Sequence, residues 1–424
     1  MKLPILFLLL SSTSLLLAQN LQEVYTEAVQ AYEAEDYAGF LDKMMVADSL
    51  RTNHPTILYN LAAGFSLNHR AEEAISCLKR AVWQNVDNGF ETDEDFNNLH
   101  EATSYQELVE FAEAYRTEVR NSLAALELED ASLHPEGIAY DPSSGDYFIG
   151  SVRHAKIIRC HPDGRQTVFN DHPGLWSVMG LVVDEQRSLL WATMVAAPQM
   201  EGYTDSLANQ SAIVGFSLTT GEIEHRHDLQ APGAWLGDLV LADNGLIYST
   251  SSSAEHPAIY RLDPWIGELE ELVHLEELIS LQGLCLDERQ ENLYFSDYRY
   301  GLFQLHLADL QLETIDNHTA HPLKGIDGLY RYDDQLIAVH NGLRPFQLVS
   351  YSLSEDGSEI DDFTYLDKAL PEMGEPTLGV LVGDKFYYVA NSPWGAYDRA
   401  GVFMEEQANS PIILGIELGE LLKD

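Results

Sequence analysis

The sequence predicts a mostly β protein: a six-bladed β-propeller preceded by a small α-helical domain. Two observations predict this architecture. A two-strand signature recurs six times in the later part of the chain, and the spacing of apolar residues changes from helical to strand-like near residue 120. The predicted domains are therefore a helical domain at residues 19–120 and a propeller at residues 121–424, with a leader at residues 1–18.

Each signature is an apolar alternating strand, a polar turn and an aromatic alternating strand. The first is "EGIAYDPSSGDYFIGS" from residue 136, and the last is "LGVLVGDKFYYVANS" from residue 378. Their aligned anchor positions are 137, 180, 238, 283, 328 and 379, so successive gaps are 43, 58, 45, 45 and 51 residues. A second hairpin lies between consecutive signatures. Four strands per unit in six units predict a six-bladed propeller.

A propeller has to close its ring, because an open sheet edge invites aggregation. After the sixth signature the chain still contains "SPIILGIEL" near its end, and "LAALELED" precedes the first signature. We predict that these two stretches pair and complete the last blade.

The helical domain contains a 34-residue repeat. "YAGFLDKMMVADSL", from residue 37, aligns with "AEEAISCLKRAVWQ", from residue 71, with small and apolar residues at matching positions. This spacing resembles tetratricopeptide (TPR) repeats, which are helix-turn-helix units. Two such repeats and a closing helix either grip a protein or peptide partner or brace the neighbouring domain.

Residues 1–18 have the composition of a secretory signal peptide. Lys2 provides the positive charge, "LPILFLLLSSTSLLLA" the apolar core and Ala18 a small residue for cleavage. No later apolar run is long enough to predict a membrane span. We expect an exported protein, periplasmic or extracellular.

The chain is strongly acidic, with 24 basic and 68 acidic residues and a formal net charge of −44. Nucleic acid is therefore excluded as a partner, because phosphate binding needs a basic surface. Such a surface attracts cations. The three cysteines are far apart and predict small buried thiols rather than a disulfide framework.

Three short motifs resemble those of the SMP-30/gluconolactonase/LRE-like propeller family. They are "PEG" at 135–137, "QGL" at 282–284 and "DGL" at 327–329. The resemblance implies that Glu136, Gln282 and Asp327 hold a divalent cation, often calcium, on the propeller axis. It also implies that Asp327 activates water for hydrolysis of a lactone or related ester.

The motifs depart from the family pattern at two places. Gln282 stands where the family has Asn, and Gly237 stands where a further Asn is common, with Asp238 beside it as a replacement metal ligand. Asp and Gln before Gly also suit ordinary loop-to-strand turns. Residues near the strand ends that could contact a small-molecule substrate are His134, Arg153, His154, His340 and Asn341.

Other chemistry has weaker support. "SSSAEH" at 251–256 favours a polar hairpin loop over a serine triad, and "HRH" at 225–227 lacks a visible third zinc ligand. The second repeat carries an insertion, 194–211, which suggests a lid over the channel. Two main functions remain: a calcium-dependent lactone or ester hydrolase, and a non-catalytic protein whose propeller and TPR-like repeats bind a ligand or partner. A condensation like that of strictosidine-synthase-like propellers is a third possibility.

Overall fold

The computed structural model describes residues 10–229, 231, 233–398 and 401–422, with side chains from residue 20 onwards. The side chains of the predicted signal peptide lie outside the described residues. Two compact units divide between Thr117 and Glu118. Within the described part of the chain, no helix is long and apolar enough to cross a membrane.

The first unit is helical. Its described part contains five α-helices, namely α1 (Leu10–Glu33), α2 (Tyr37–Leu50), α3 (Pro55–Leu67), α4 (Ala71–Gln84) and α5 (Thr103–Arg116). Two 3₁₀ turns, Phe90–Thr92 and Glu94–Leu99, lie between α4 and α5. Helices α2 and α4 coincide with the two aligned segments of the 34-residue repeat. Each consecutive pair of helices is in contact. Short turns join the helices from α1 to α4, as expected for antiparallel neighbours, and the longer segment with the 3₁₀ turns joins α4 to α5. The assignment to TPR repeats in particular stays a prediction.

The second unit is a six-bladed β-propeller, and the predicted fold is confirmed. It begins with β1 (Leu123–Glu127), which belongs to the last blade. Blade 1 is β2 (Pro135–Asp141), β3 (Asp146–Ser151), β4 (Ile157–Cys160) and β5 (Gln166–Asn170). Blade 2 is β6 (Ser177–Asp184), β7 (Leu189–Val195), β8 (Ser211–Ser217) and β9 (Ile223–Leu229). Blade 3 is β10 (Leu236–Leu241), β11 (Ile247–Ser251), β12 (Ala258–Asp263) and β13 (Glu268–His274).

The later blades follow the same antiparallel order. Blade 4 is β14 (Leu281–Leu286), β15 (Asn292–Asp297), β16 (Gly301–His306) and β17 (Leu312–Thr314). Blade 5 is β19 (Ile326–Tyr332), β20 (Gln335–His340), β21 (Gln347–Leu353) and β22 (Glu359–Lys368), with the short β18 (Asp316–Asn317) parallel to β22. Blade 6 is β23 (Gly379–Val382), β24 (Lys385–Val389), β25 (Ile412–Glu417) and β1. The short helix α6 (Leu418–Leu421) follows β25.

The ring closes as predicted. Strand β1 pairs antiparallel with β25, with Leu123 opposite Gly415 and Glu127 opposite Ile412. The innermost strands of consecutive blades are in contact around the ring, and β23 contacts β2. The first and last parts of the propeller unit are therefore held together in one sheet, which leaves blade 6 with four strands like its neighbours.

Apolar side chains fill the spaces between the blades. One buried cluster joins blades 1 and 2 through Phe148 and Phe216, and another joins blades 6 and 1 through Val389 and Ile149. Equivalent clusters lie between the other adjacent blades. Burying apolar area at about 25 cal/mol per Å² provides the main force that holds such sheets face to face. All three cysteines are buried free thiols, as predicted.

Candidate functional site

The entrance of each innermost strand in blades 1 to 5 carries a β-bulge. The register shifts between Pro135 and Ile138 in blade 1 and between Ile326 and Leu329 in blade 5, and blades 2, 3 and 4 repeat it. A bulge interrupts pairing and re-aims the side chain it carries. In each blade the first residue of the bulge lies at the mouth of the ring, and these residues are Glu136, Met179, Gly237, Gln282 and Asp327.

The second residue of the bulge is Gly in four of these five blades, because the next blade approaches it closely. A Cβ on Gly137 would collide with the carbonyl oxygen of Met179, and one on Gly283 would collide with the backbone of Leu329. The recurrent Gly of the sequence signature is thus a packing requirement between neighbouring inner strands.

Residues from all six blades meet around one cavity of about 240 Å³. Its lining consists of Glu136, Met179, Trp235, Ser252, Gln282, Tyr298, Asp327, Asn341, Glu375 and Trp394. The structure therefore brings together the three residues of the family motifs, together with Asn341. Their roles as ligands or catalytic groups stay predictions.

Asp327 is held by a two-step hydrogen-bond chain. The Asn341 side-chain amide donates to Oδ2 of Asp327 at 2.7 Å, and the Tyr298 hydroxyl donates to Oδ1 of Asn341 at 2.8 Å. The Arg344 guanidinium donates to the backbone carbonyl of Asn341 at 2.7 Å. Asp327 and Asn341 are only 8% and 6% exposed, so this chain fixes the carboxylate in a largely dry setting.

Residues near the end of the sequence, in and beside blade 6, hydrogen-bond to Glu136. The indole of Trp394, in a 3₁₀ turn between β24 and β25, donates to Oε2 of Glu136 at 2.8 Å. The backbone carbonyl of Glu136 accepts hydrogen bonds from the Thr377 hydroxyl and from the backbone N–H of Leu378. Blade 6 thus positions the acid that blade 1 provides.

The cavity is electrostatically unusual because its acids are desolvated together. Burial raises the pKa of Glu136 well above its usual value, and the charge of Asp327 adds to the shift. Burial, followed by the charges of Glu375 and Asp238, raises the pKa of Asp327 to about 7. Burial also raises the pKa of Glu375, which Arg344 partly offsets. Among the described residues, no Lys, Arg or His belongs to the lining. Such a set of acids favours a bound cation.

Gln282 offers its amide oxygen to the same cavity. Its Nε2 donates to the Ser280 hydroxyl at 2.8 Å, and its Oε1 accepts from Ser252 at 3.5 Å. Asp238 is placed differently: it is not in the lining, and its carboxylate accepts from the backbone N–H groups of Leu239 and Leu284. Burial raises the pKa of Asp238 to about 7. The structure does not bring Asp238 to the cavity.

The other predicted contact residues lie outside the cavity lining. His134 is fully buried, with Nδ1 2.7 Å from the Tyr397 hydroxyl, and burial lowers its pKa to about 3. His340 is also fully buried inside blade 5, between the carbonyl of Lys324 and the Tyr351 hydroxyl. Both imidazoles are structural neighbours of the site rather than part of its surface.

Arg153 and His154 bind the inserted segment of blade 2. Glu201 pairs with Arg153 at 2.8 Å and with Nδ1 of His154 at 2.8 Å, and its backbone N–H donates to the carbonyl of Arg153. These contacts fix the insertion against blade 1. A lid movement of this segment stays a prediction.

The side-chain oxygens of the cavity are suitable ligands for a cation such as Ca²⁺, but they lie far apart from one another. Carboxylates and amide oxygens are ligands that Ca²⁺ accepts in sixfold to eightfold coordination. Two groups of three His, Cys, Asp or Glu residues in the described chain have ligand atoms that all lie within 4.8 Å of one another. Neither group belongs to this cavity. A cation in the cavity would therefore be shared with water molecules or would draw the side chains inward.

Several lining residues were not predicted from the sequence. Trp394, Glu375, Tyr298 and Trp235 reach the cavity from loops outside the recurring strand signature. Glu375 lies four residues before the sixth anchor glycine, Gly379, but no other signature has an acid at the matching position, so the repeat pattern gave no signal for it. No repeated motif in the sequence pointed to Trp394 either.

Comparisons with known proteins concern the fold. No model of a protein family matches the chain, and no curated protein matches it. A gluconolactonase from Xanthomonas campestris is 13% identical, with a TM-score of 0.47, covering 71% of this chain and 99% of that one. Regucalcin, a calcium-binding protein from Agrobacterium tumefaciens, is 16% identical, with a TM-score of 0.48 and coverage of 69% and 93%. Virginiamycin B lyase from Staphylococcus aureus is 16% identical, with a TM-score of 0.46 and coverage of 69% and 97%.

Proposed function

We propose that the cavity binds a divalent cation, Ca²⁺ in the first instance, and that the protein is an exported hydrolase of lactones or related esters. The observation that carries the proposal is the meeting of Glu136, Asp327 and Glu375 in one cavity whose lining, among the described residues, contains no cationic side chain. Carboxylates with raised pKa values gain most from a cation, because it relieves both their desolvation and their mutual repulsion.

Glu136 and Asp327 would hold the ion, with the amide oxygen of Gln282 as a third ligand. A bound Ca²⁺ would supply Lewis-acid polarisation of the substrate carbonyl. Asn341 and Tyr298 orient the Asp327 carboxylate. Asp327 accepts a proton from the attacking water as the water oxygen forms its bond to the carbonyl carbon. It then returns this proton to the departing alkoxide when the ester C–O bond breaks.

The test is the effect of Ca²⁺ on thermal unfolding of the full chain after metal removal. We expect a rise in Tm of several degrees for the wild type, because a ligand that binds only the folded state stabilises it. Asp327→Ala should lose this rise, whereas Asp243→Asn should keep it, because Asp243 is an exposed acid in the turn between β10 and β11 and lies outside the lining. Equal responses of wild type and Asp327→Ala would exclude the proposed site.

A binding protein without catalytic activity is the second candidate. In the helical unit, Met45 and Val46 on α2 are 47% and 44% exposed, and exposed apolar side chains of this kind support a protein or peptide partner. A panel of lactones separates the two functions. Calcium-dependent turnover supports the hydrolase, and calcium binding without turnover supports the binding protein.

A further inference from the structure

The outer part of blade 3 contains a second cluster of metal-ligand side chains. His256 lies in the loop between β11 and β12, and Glu271 and His274 lie on β13. One ligand atom from each lies within 4.8 Å of the other two. Nε2 of His256 is 2.5 Å from Oε2 of Glu271, and the two imidazole rings are 4.4 Å apart between centroids. None of these three residues lines the axial cavity.

A β-bulge creates this arrangement. His274 pairs with Ala258 and Glu271 pairs with Tyr260, with a register shift between Ile259 and Tyr260. Because side chains alternate along a regular strand, residues three apart would otherwise point to opposite faces. The extra residue in β13 places Glu271 and His274 on the same face of the blade, where His256 reaches them from the loop.

Two buried polar atoms beside the cluster have no hydrogen-bond partner among the described residues. They are Nδ1 of His274 and the hydroxyl of Tyr260. Tyr260 is 1% exposed and lies opposite Glu271 in the sheet. Buried polar groups are normally satisfied, so these atoms indicate a site that is completed by something other than the described side chains.

We propose that His256, Glu271 and His274 form a binding site for a divalent transition-metal ion of the Zn²⁺ class. Two imidazoles and one carboxylate are the ligand set of open tetrahedral zinc sites, in which water occupies the fourth position. Imidazole nitrogen favours Zn²⁺, Ni²⁺ or Cu²⁺ over Ca²⁺. A tetrahedral ion requires ligand atoms about 3.3 Å apart, given bonds of about 2.0–2.1 Å. Rotation of the side chains achieves this, and the ion replaces the proton between His256 and Glu271.

The position of the cluster gives the ion a structural consequence. The loop 252–257 that carries His256 also carries Ser252, which lines the axial cavity. An ion held by the loop and by β13 fastens this segment to the outermost strand of blade 3. The ion therefore restrains a wall of the cavity without entering it.

A second group in the chain provides a matched control. Ligand atoms of His318, Glu359 and Asp361 also lie within 4.8 Å of one another, but His318 and Asp361 are exposed. This group has one imidazole instead of two, and its His318 is 3.1 Å from Glu359 in a surface ion pair. Exposed and flexible side chains bind an ion weakly, because ordering them costs entropy.

The experiment measures zinc bound to the untagged full chain by equilibrium dialysis and elemental analysis, with Ca²⁺ in large excess over Zn²⁺. We expect one tightly bound zinc per chain. His256→Ala and His274→Ala should each weaken binding at least about tenfold, since even partners outside the ligand set cost that much. His318→Ala and Asp327→Asn should bind zinc like the wild type, which separates this site from the axial one.

Glu271→Gln provides a further variant if either alanine substitution impairs folding, and circular dichroism checks each protein. The proposal is overturned if the wild type binds no zinc, or if the folded blade 3 variants retain it. Zinc lost only from Asp327→Asn would also overturn it, because the ion would then belong to the axial cavity. Failure of the calcium test on Asp327→Ala would leave this result unchanged.

Discussion

The indole Nε1 of Trp394 donates a 2.8 Å hydrogen bond to Oε2 of Glu136, which lies 258 positions earlier in the sequence. This bond joins the loop between β24 and β25 to the bulge that opens β2. Burial and the neighbouring acids raise the pKa of Glu136, and the hydrogen bond from Trp394 lowers it. Blade 6 therefore closes the ring and also stabilises the charge of the acid in blade 1.

Trp394→Phe tests this relationship. The substitution keeps an aromatic cover but leaves a buried carboxylate without its donor, so we expect a loss of about 1–3 kcal/mol in the free energy of unfolding. The loss should be larger at about pH 8 than at about pH 5, because only the ionised acid needs the donor. Urea unfolding at both pH values measures it. Trp265→Phe, at a 51% exposed indole, should change stability little, and an equal loss at both pH values would contradict the prediction.

The raised pKa of Asp327 predicts an unusual dependence of stability on pH. Its folded-state value is about 7, against 3.8 for an ordinary Asp. Between these values the folded protein binds a proton that the unfolded chain does not, so stability from this group rises as the pH falls from about 8 towards 4. Asp327→Asn removes the effect. As the pH falls from about 8 to about 4, we expect the free energy of unfolding of the metal-free wild type to rise by a few kcal/mol relative to that of the variant.

The comparison with Asp327→Asn is essential because other groups act in the opposite direction. His134 and His340 have pKa values lowered to about 3 by burial. Each therefore reduces stability as the pH falls below about 6.5, where the unfolded imidazole takes up a proton. Wild type and variant share these histidines, so the difference between their urea-unfolding curves reports Asp327 together with the part of the Glu136 shift that the Asp327 charge causes. Parallel curves across this range would show that Asp327 titrates normally.

The sequence allowed the propeller and its closure to be predicted, because strand alternation and the 45-residue spacing are properties of the chain itself. The family resemblance pointed to Glu136, Gln282 and Asp327, each of which precedes the anchor glycine of its signature, and all three lie in the cavity lining. Asp238 occupies the anchor position itself. Asp238 lies outside the cavity lining, and its carboxylate instead accepts hydrogen bonds from the backbone N–H groups of Leu239 and Leu284.

The remaining cavity residues could not be predicted because loops have no period. Trp394, Tyr298 and Glu375 follow or precede strands at unequal distances, and their positions depend on how each loop folds over the ring. His340 was predicted from the sequence to contact substrate, but it lies outside the cavity lining. It is adjacent to Asn341, yet the strand alternation buries His340 within blade 5 while Asn341 faces Asp327.

Ring closure depends on a buried acid in blade 5. The Asp367 carboxylate, fully buried at the end of β22, accepts the backbone N–H groups of Asn121 and Ser122 and the Tyr388 hydroxyl. Asp367→Ala leaves these donors unsatisfied, and we expect a loss of about 2–4 kcal/mol in the free energy of unfolding. Urea unfolding measures it. Asp362→Ala, at an exposed position of the same strand, should cost much less, and similar losses would exclude this role for Asp367.

Tyr298 provides the sharpest test of how the cavity is organised, because its hydroxyl does not touch Asp327. It donates to Oδ1 of Asn341, and this bond orients the amide whose Nδ2 donates to Asp327. Tyr298→Phe frees the Asn341 side chain, which then no longer holds the Asp327 carboxylate in one orientation. We expect calcium affinity to fall about threefold to tenfold, the value of one hydrogen bond of about 0.5–1.5 kcal/mol.

Titration calorimetry with Ca²⁺ measures this change. Tyr300→Phe is the matched control, because Tyr300 lies two positions further along the same turn and is 48% exposed. It should bind calcium like the wild type. If Tyr298→Phe also binds like the wild type while Asp327→Ala does not, the carboxylate acts without its hydrogen-bond chain. In that case Asn341 and Tyr298 only fill space beside the ion.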